Sequence, residues 1–140
     1  GLATVAGIQA FEQGQTRANQ DALTSQAVKI ASDIQARIKE PSQFGGYDGD
    51  IDKAKNGTNG VTLEELGYST NGSNEYEAAD GKCGIVTGGP NSPGNIGVNK
   101  VSKPGVAIEV LCESDDNEVI AGISGTDSGD ITSNAATIGS

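Results

Sequence analysis

At 140 residues the chain is the size of one ordinary domain, and an apolar fraction of 34% with 4% aromatics lies below the roughly 45–50% of globular chains, so its core is small and much of it is loop. A net charge of −10 excludes nucleic-acid binding by charge, which needs a surplus of Lys and Arg. With no His and two Cys, the commonest general base and the usual zinc sites are excluded as well, and no apolar run reaches the ~18 residues that would span a bilayer by itself.

The charge divides the chain in two. Residues 1–40 hold four bases and four acids, whereas residues 41–140 hold five Lys, fifteen acids and 18 of the 21 glycines. The chain thus reads as a neutral arm, 1–40, and an acidic, Gly-rich head, 41–140. Pro41 marks the junction, because the residue before proline is pushed out of the α region. The whole is expected to be α+β.

The arm reads as one helix over residues 1–39. Leu23, Ala27, Ile30, Ile34 and Ile38 recur at spacings of 4, 3, 4 and 4, a single stripe of a 3.6-residue period that is expected to pack on the head. Arg17–Asp21, Lys29–Asp33 and Asp33–Arg37 are opposite charges at i,i+4. Such a helix reaches ~55–60 Å, whereas a ~100-residue head is nearer ~30 Å across. The N-terminal half therefore projects. Residues 1–11 are uncharged and mostly apolar, with Leu2, Val5, Ile8 and Phe11 as the greasy positions. This stretch reads as the C-terminal part of a longer membrane helix, not as a signal peptide, since it lacks a basic start and a cleavage site.

The head opens with a turn-rich connection over 41–60. Thr62 then caps a helical turn, with Glu65 as its reciprocal partner and Gly67 as its stop. Strands are expected at Glu75–Ala79, Gly84–Thr87, Val106–Cys112 and Glu118–Ile123, forming a three- to four-stranded antiparallel sheet. Val106, Ile108 and Val110 alternate with Ala107, Glu109 and Leu111, the pattern of a half-buried strand. Residues 88–105 read as an excursion between strands, and the tail from Gly122 as polar loop. Cys83 and Cys112 fall in or beside two of these strands. As an even pair in an extracytoplasmic chain they are expected to form a disulfide, the alternative being two buried thiols in a cytosolic protein.

Other motifs are weak. Asp48-Gly-Asp50-Ile-Asp52 begins like a calcium loop, but Lys53 and Asn59 stand where an EF-hand places Gly and Glu. Asn56-Gly-Thr58 and Asn71-Gly-Ser73 match the N-glycosylation pattern in a chain rich in Asn, Gly, Ser and Thr. Glu64/Glu65 and Asp115/Asp116 read as solvated acid pairs. No nucleophile sits beside a recognisable base, and no enzyme is expected.

This organisation resembles the type IV pilin family and its relatives, the pseudopilins of type II secretion. Gly1–Pro41 is similar to the second half of the pilin spine, Val61–Tyr68 to the turn before the first head strand, and Gly125–Ile131 to the C-terminal loop of major pseudopilins. The resemblance implies a structural subunit of a cell-surface filament, assembled from copies of itself through Leu2, Val5, Ile8 and Phe11. Its precursor would be held in the inner membrane by a segment preceding Gly1. It further implies a possible calcium site at Asp127 and Asp130, and otherwise no cofactor. A secretion pseudopilin and a soluble, calcium-stabilised binding or adhesion module are the alternatives.

Overall fold

A computed structural model describes residues 2–55, 59–86 and 92–138, with side chains from Gly14 onward. The uninterrupted periodicity of the arm, free of Pro, forms a 38-residue helix, α1 (Leu2–Lys39), with Arg37 and Lys39 in its last turn, where cations favour the helix dipole. The connection that follows is less irregular than its composition suggests. A 3-10 turn (Ser42–Phe44) leads to a one-turn helix, α2 (Ile51–Ala54), capped by the Asp50 side chain on the Asp52 amide.

Five strands follow: β1 (Tyr76–Ala78), β2 (Gly81–Ile85), β3 (Ile108–Glu113), β4 (Asn117–Ile123) and β5 (Ile131–Thr137). They form one antiparallel sheet in chain order, so the protein is α+β. Two expectations are corrected here. The sheet has five strands rather than three or four, and the tail beyond Gly122 is not loop, because β4 runs to Ile123 and β5 pairs with its whole length from Asn117↔Thr137 to Ile123↔Ile131. In addition, β2 starts at Gly81 rather than Gly84, and β3 starts at Ile108 rather than Val106 and extends to Glu113.

The sheet is covered on both faces. On one, α1 packs across β3, β4 and β5. Leu23, Ala27, Ile30, Ile34 and Ile38 are fully buried there with Ile108, Val110, Cys112, Val119, Ala121 and Ile123. Each large aliphatic side chain so buried is worth about 1.5–3 kcal/mol. Ala31 and Gln35 of α1 are buried too. Cys83 and Cys112 are register partners on this face, their Cα atoms 4.1 Å apart, and are joined in a disulfide under the helix.

The other face is not the solvated side of a half-buried strand. Leu111 and Ile120 are fully buried under Val101, with Val86, Ile96, Val98 and Ala136 around them. The segment 92–106 lies across this face so closely that a Cβ on Gly84 would meet Pro93 at 2.7 Å, and one on Gly122 would meet Val106 at 2.6 Å. Glycine in a strand interior here marks the close approach of a second layer.

Candidate functional site

Four features stand where a function could reside: the N-terminal reach of α1, the C-terminal loop, the tyrosine-centred contacts beside α1, and the glutamates under the segment 92–106. Leu2, Val5, Ile8 and Phe11 fall within α1, but their side chains lie outside the described ones. The described contacts between α1 and the sheet run back to Thr16, whose carbonyl accepts the Asn117 amide at 2.9 Å. Asn19 accepts Asn117 Nδ2 at 2.9 Å and Ser114 Oγ at 2.6 Å. From Thr16 to Lys39 the helix rises about 35 Å, and from Leu2 to Thr16 about 21 Å.

In the C-terminal loop, Asp127 and Asp130 are brought together, but by a capping box about the turn Ser128–Asp130. The Asp127 amide donates to Oδ2 of Asp130 at 3.1 Å, and the Asp127 side chain accepts in return. The main-chain oxygens of Gly125 and Asp127 accept the side-chain amide of Gln35, at 2.9 and 2.7 Å. Among the described residues no group of three His, Cys, Asp or Glu is placed to hold a metal. The acids of the 48–52 stretch are engaged locally: Asp48 accepts the Ser42 amide, Asp50 caps α2, and Asp52 lies 3.4 Å from Lys55. The Ser42 amide holds the Asp48 carboxyl below its ordinary range.

Beside α1, the expected Lys29–Asp33 pair forms at 3.4 Å. Arg37, expected on Asp33, instead reaches Glu40 at 2.9 Å and Glu65 at 3.7 Å. Asp33 accepts the Tyr68 hydroxyl, which in turn accepts from Lys29. Glu65, read as half of a solvated pair, accepts the Thr62 amide and the Tyr47 hydroxyl at 2.8 and 2.7 Å. Burial first and the Glu65 carboxylate second push the Tyr47 hydroxyl well above its ordinary value. Both tyrosines tie the head to acids rather than serving as exposed acid–base groups. Phe44, on the loop after α1, is the exposed large hydrophobic among the described residues, at 69%.

Asn71, one of the two glycosylation-pattern positions, is held inside its turn. Its Oδ1 accepts the amides of Ser73 and Glu75, and its Nδ2 donates to Glu75. The other, Asn56-Gly-Thr58, lies outside the described residues.

The glutamates are what sequence reasoning missed. Glu75, Glu109 and Glu118 are buried, and each accepts a main-chain amide from the segment that covers the sheet. Glu75 takes Asn95 at 2.7 Å; Glu109 takes Gly105 at 3.0 Å, with Lys103 at 3.5 Å. Glu118 Oε1 takes Asn99, Lys100 and Val101 at 2.9, 2.8 and 2.8 Å. A buried carboxylate must be paired or hydrogen-bonded to persist, and here the partners are backbone donors that have no strand of their own. The signal available in the sequence is that Glu109 and Glu118 interrupt otherwise apolar strands.

The described cavities are open and shallow. The largest, about 480 Å³, is lined by Glu77, Lys82, Ile96, Glu113 and Asp115 among others. No protein-family model matches this chain, and neither a curated protein nor a solved structure matches it.

Proposed function

We propose that this chain is a structural subunit of an extracellular type IV pilus-like filament. Copies of it would pack through the N-terminal part of α1 while the acidic heads face water. The observation that carries the reading is the mismatch between α1 and the surface that covers it. The buried stripe begins at Leu23 and the described sheet contacts at Thr16, yet the helix continues to Leu2 through a stretch without charge until Glu12. An uncharged, mostly apolar helix leaves water only for another apolar environment, which a bundle of like helices supplies. The head, with fifteen acids and five bases, repels its neighbours and stays in solvent.

The calcium-dependent alternatives draw on the loop at Asp127 and Asp130. There the two nearest carbonyls already accept from Gln35, which favours the filament reading over them. Electron microscopy of the native full-length protein tests it. Filaments about 5–10 nm wide are expected, from ~10 Å helices bundled inside a sleeve of ~30 Å heads. Ile8→Asp should abolish them without moving the melting temperature of the head. Native protein that stays monomeric without detergent would overturn the proposal.

A further inference from the structure

The outer face of the sheet carries a row of ionisable side chains set side by side by the register. Glu77 of β1 faces Lys82 of β2, Lys82 faces Glu113 of β3, and Glu113 faces Glu118 of β4. The row ends on Ala136 of β5. The Lys82 ammonium lies 3.9 Å from Oε1 of Glu75 and 3.9 Å from Oε1 of Glu77, so the one cation in the row is engaged at its far end. Glu118 is fully buried, and its Oε1 accepts the three amides of Asn99, Lys100 and Val101. The other oxygen of Glu118 and Oε2 of Glu113 are both buried, and neither has a hydrogen-bond partner.

Side chains directly opposite on adjacent antiparallel strands have Cβ atoms about 4.5–5.5 Å apart. Two bare carboxylates there would repel and leave two acceptors unsatisfied. A single proton removes both faults, because it turns one acceptor into a donor for the other.

We propose that Glu113 and Glu118 share one proton across the β3–β4 pair, and that this proton keeps residues 92–106 docked on the outer face of the sheet. Glu113 is the side that holds it. Burial first and the facing Glu118 second push the Glu113 carboxyl above its ordinary value, against the Gly97 amide, whereas Oε1 of Glu118 already accepts three amides. The remaining charges near the pair are Glu75, Glu77 and Lys82 on the β1–β2 side, with Asp80 and Asp115 along the adjoining groove. From the docked segment, Lys103 is engaged with Glu109 and Lys100 is exposed. Among the described residues no cation beyond Lys82 is therefore at hand to replace the proton. Loss of the proton places two like charges beneath the segment, and Glu113 can then turn into the open groove that it lines. The segment loosens as pH rises. This device belongs to the head and holds whether or not the chain assembles.

The test is a carbon-13 titration of the glutamate carboxyls of the whole chain, read beside hydrogen exchange at Asn99, Lys100 and Val101. One glutamate should titrate above the ordinary value near 4.5, and that step should vanish in Glu113→Gln. Exchange at the three amides, corrected for its intrinsic pH dependence, should accelerate about tenfold per pH unit across the same step. It should stay flat in Glu113→Gln, where the side-chain amide supplies the donor permanently. The wild-type titration decides by itself if that variant does not fold. Two carboxyls titrating together in the ordinary range, or amide exchange indifferent to the step, would overturn the proposal. So would a response of the two carboxyls to millimolar calcium, which would place a cation where the proton is proposed.

Discussion

The side-chain amide of Gln35 lies 2.7 Å from the main-chain oxygen of Asp127, 92 positions further along the chain. With its second bond, to Gly125 at 2.9 Å, this buried glutamine stitches the C-terminal loop to the C-terminal end of α1. The two carbonyls are turned toward a neutral donor, and the Asp127 and Asp130 carboxylates are turned toward each other's backbone. The melting temperature should therefore be the same in EDTA and in millimolar calcium, since a ligand that binds the native state raises it by mass action. Gln35→Ala should cost about 1–3 kcal/mol in urea unfolding, for the loss of two part-buried hydrogen bonds at about 0.5–1.5 kcal/mol each.

The disulfide makes a second expectation. Cys83 and Cys112 close a loop with a sequence separation of 29, for which chain entropy in the unfolded state gives about 3–4 kcal/mol. The double Ser variant should lose stability of that order. Intact mass under non-reducing conditions should be lower by the two thiol protons. A mass matching two free thiols in freshly isolated protein would remove the argument for an extracytoplasmic compartment.

Glu75 contributes to the acid limb of stability. Burial acts to raise its carboxyl, but the side-chain amide of Asn71, the Asn95 amide and Lys82 together outweigh burial and hold it below its ordinary value. A depressed carboxyl stabilises the fold above its unfolded value near 4.5, and that contribution is lost as pH falls through the folded value. Glu75→Gln should thus be destabilised by about 1.5–3 kcal/mol at pH 7, a gap that narrows toward pH 3 in urea titrations. Glu113 runs the opposite way, its raised value favouring the fold on the acid side.

The close layers predict a steric signature. Gly122→Ala would place a methyl 2.6 Å from Val106 and 2.9 Å from Pro104, so the covering segment must shift at a cost of about 1–3 kcal/mol. Gly84→Ala should do the same through Pro93. Gly129, whose added Cβ would meet nothing, is the control and should change stability little.

How much of this could be read from the residues alone depends on whether the signal is local. The stripe from Leu23 to Ile38 is periodic and unbroken, so the helix and its buried face follow from spacing. The Thr62–Glu65 capping box is equally local, and both of its bonds are present. Strand β5 is different. Ile131–Thr137 is an edge strand of small and polar residues with four of its seven positions exposed, so it lacks the apolar alternation by which strands are recognised. The pairing that makes it a strand comes from β4. The glutamates are harder still. Nothing near Glu118 in the sequence announces that Asn99, Lys100 and Val101 will bring their amides to it, because that meeting is created by the path of a segment without periodic structure.

The up-and-down order of the sheet has a consequence for biogenesis. Each strand pairs with its immediate predecessor, so the hairpins can form one after another from near neighbours in the chain, a topology that lowers the entropic barrier to folding. The helix, however, is clothed late: α1 rests on β3, β4 and β5, which lie far downstream of it in the chain. Until those strands are made, Leu23, Ile30, Ile34 and Ile38, fully buried in the folded chain, form an aliphatic strip without the sheet that covers it.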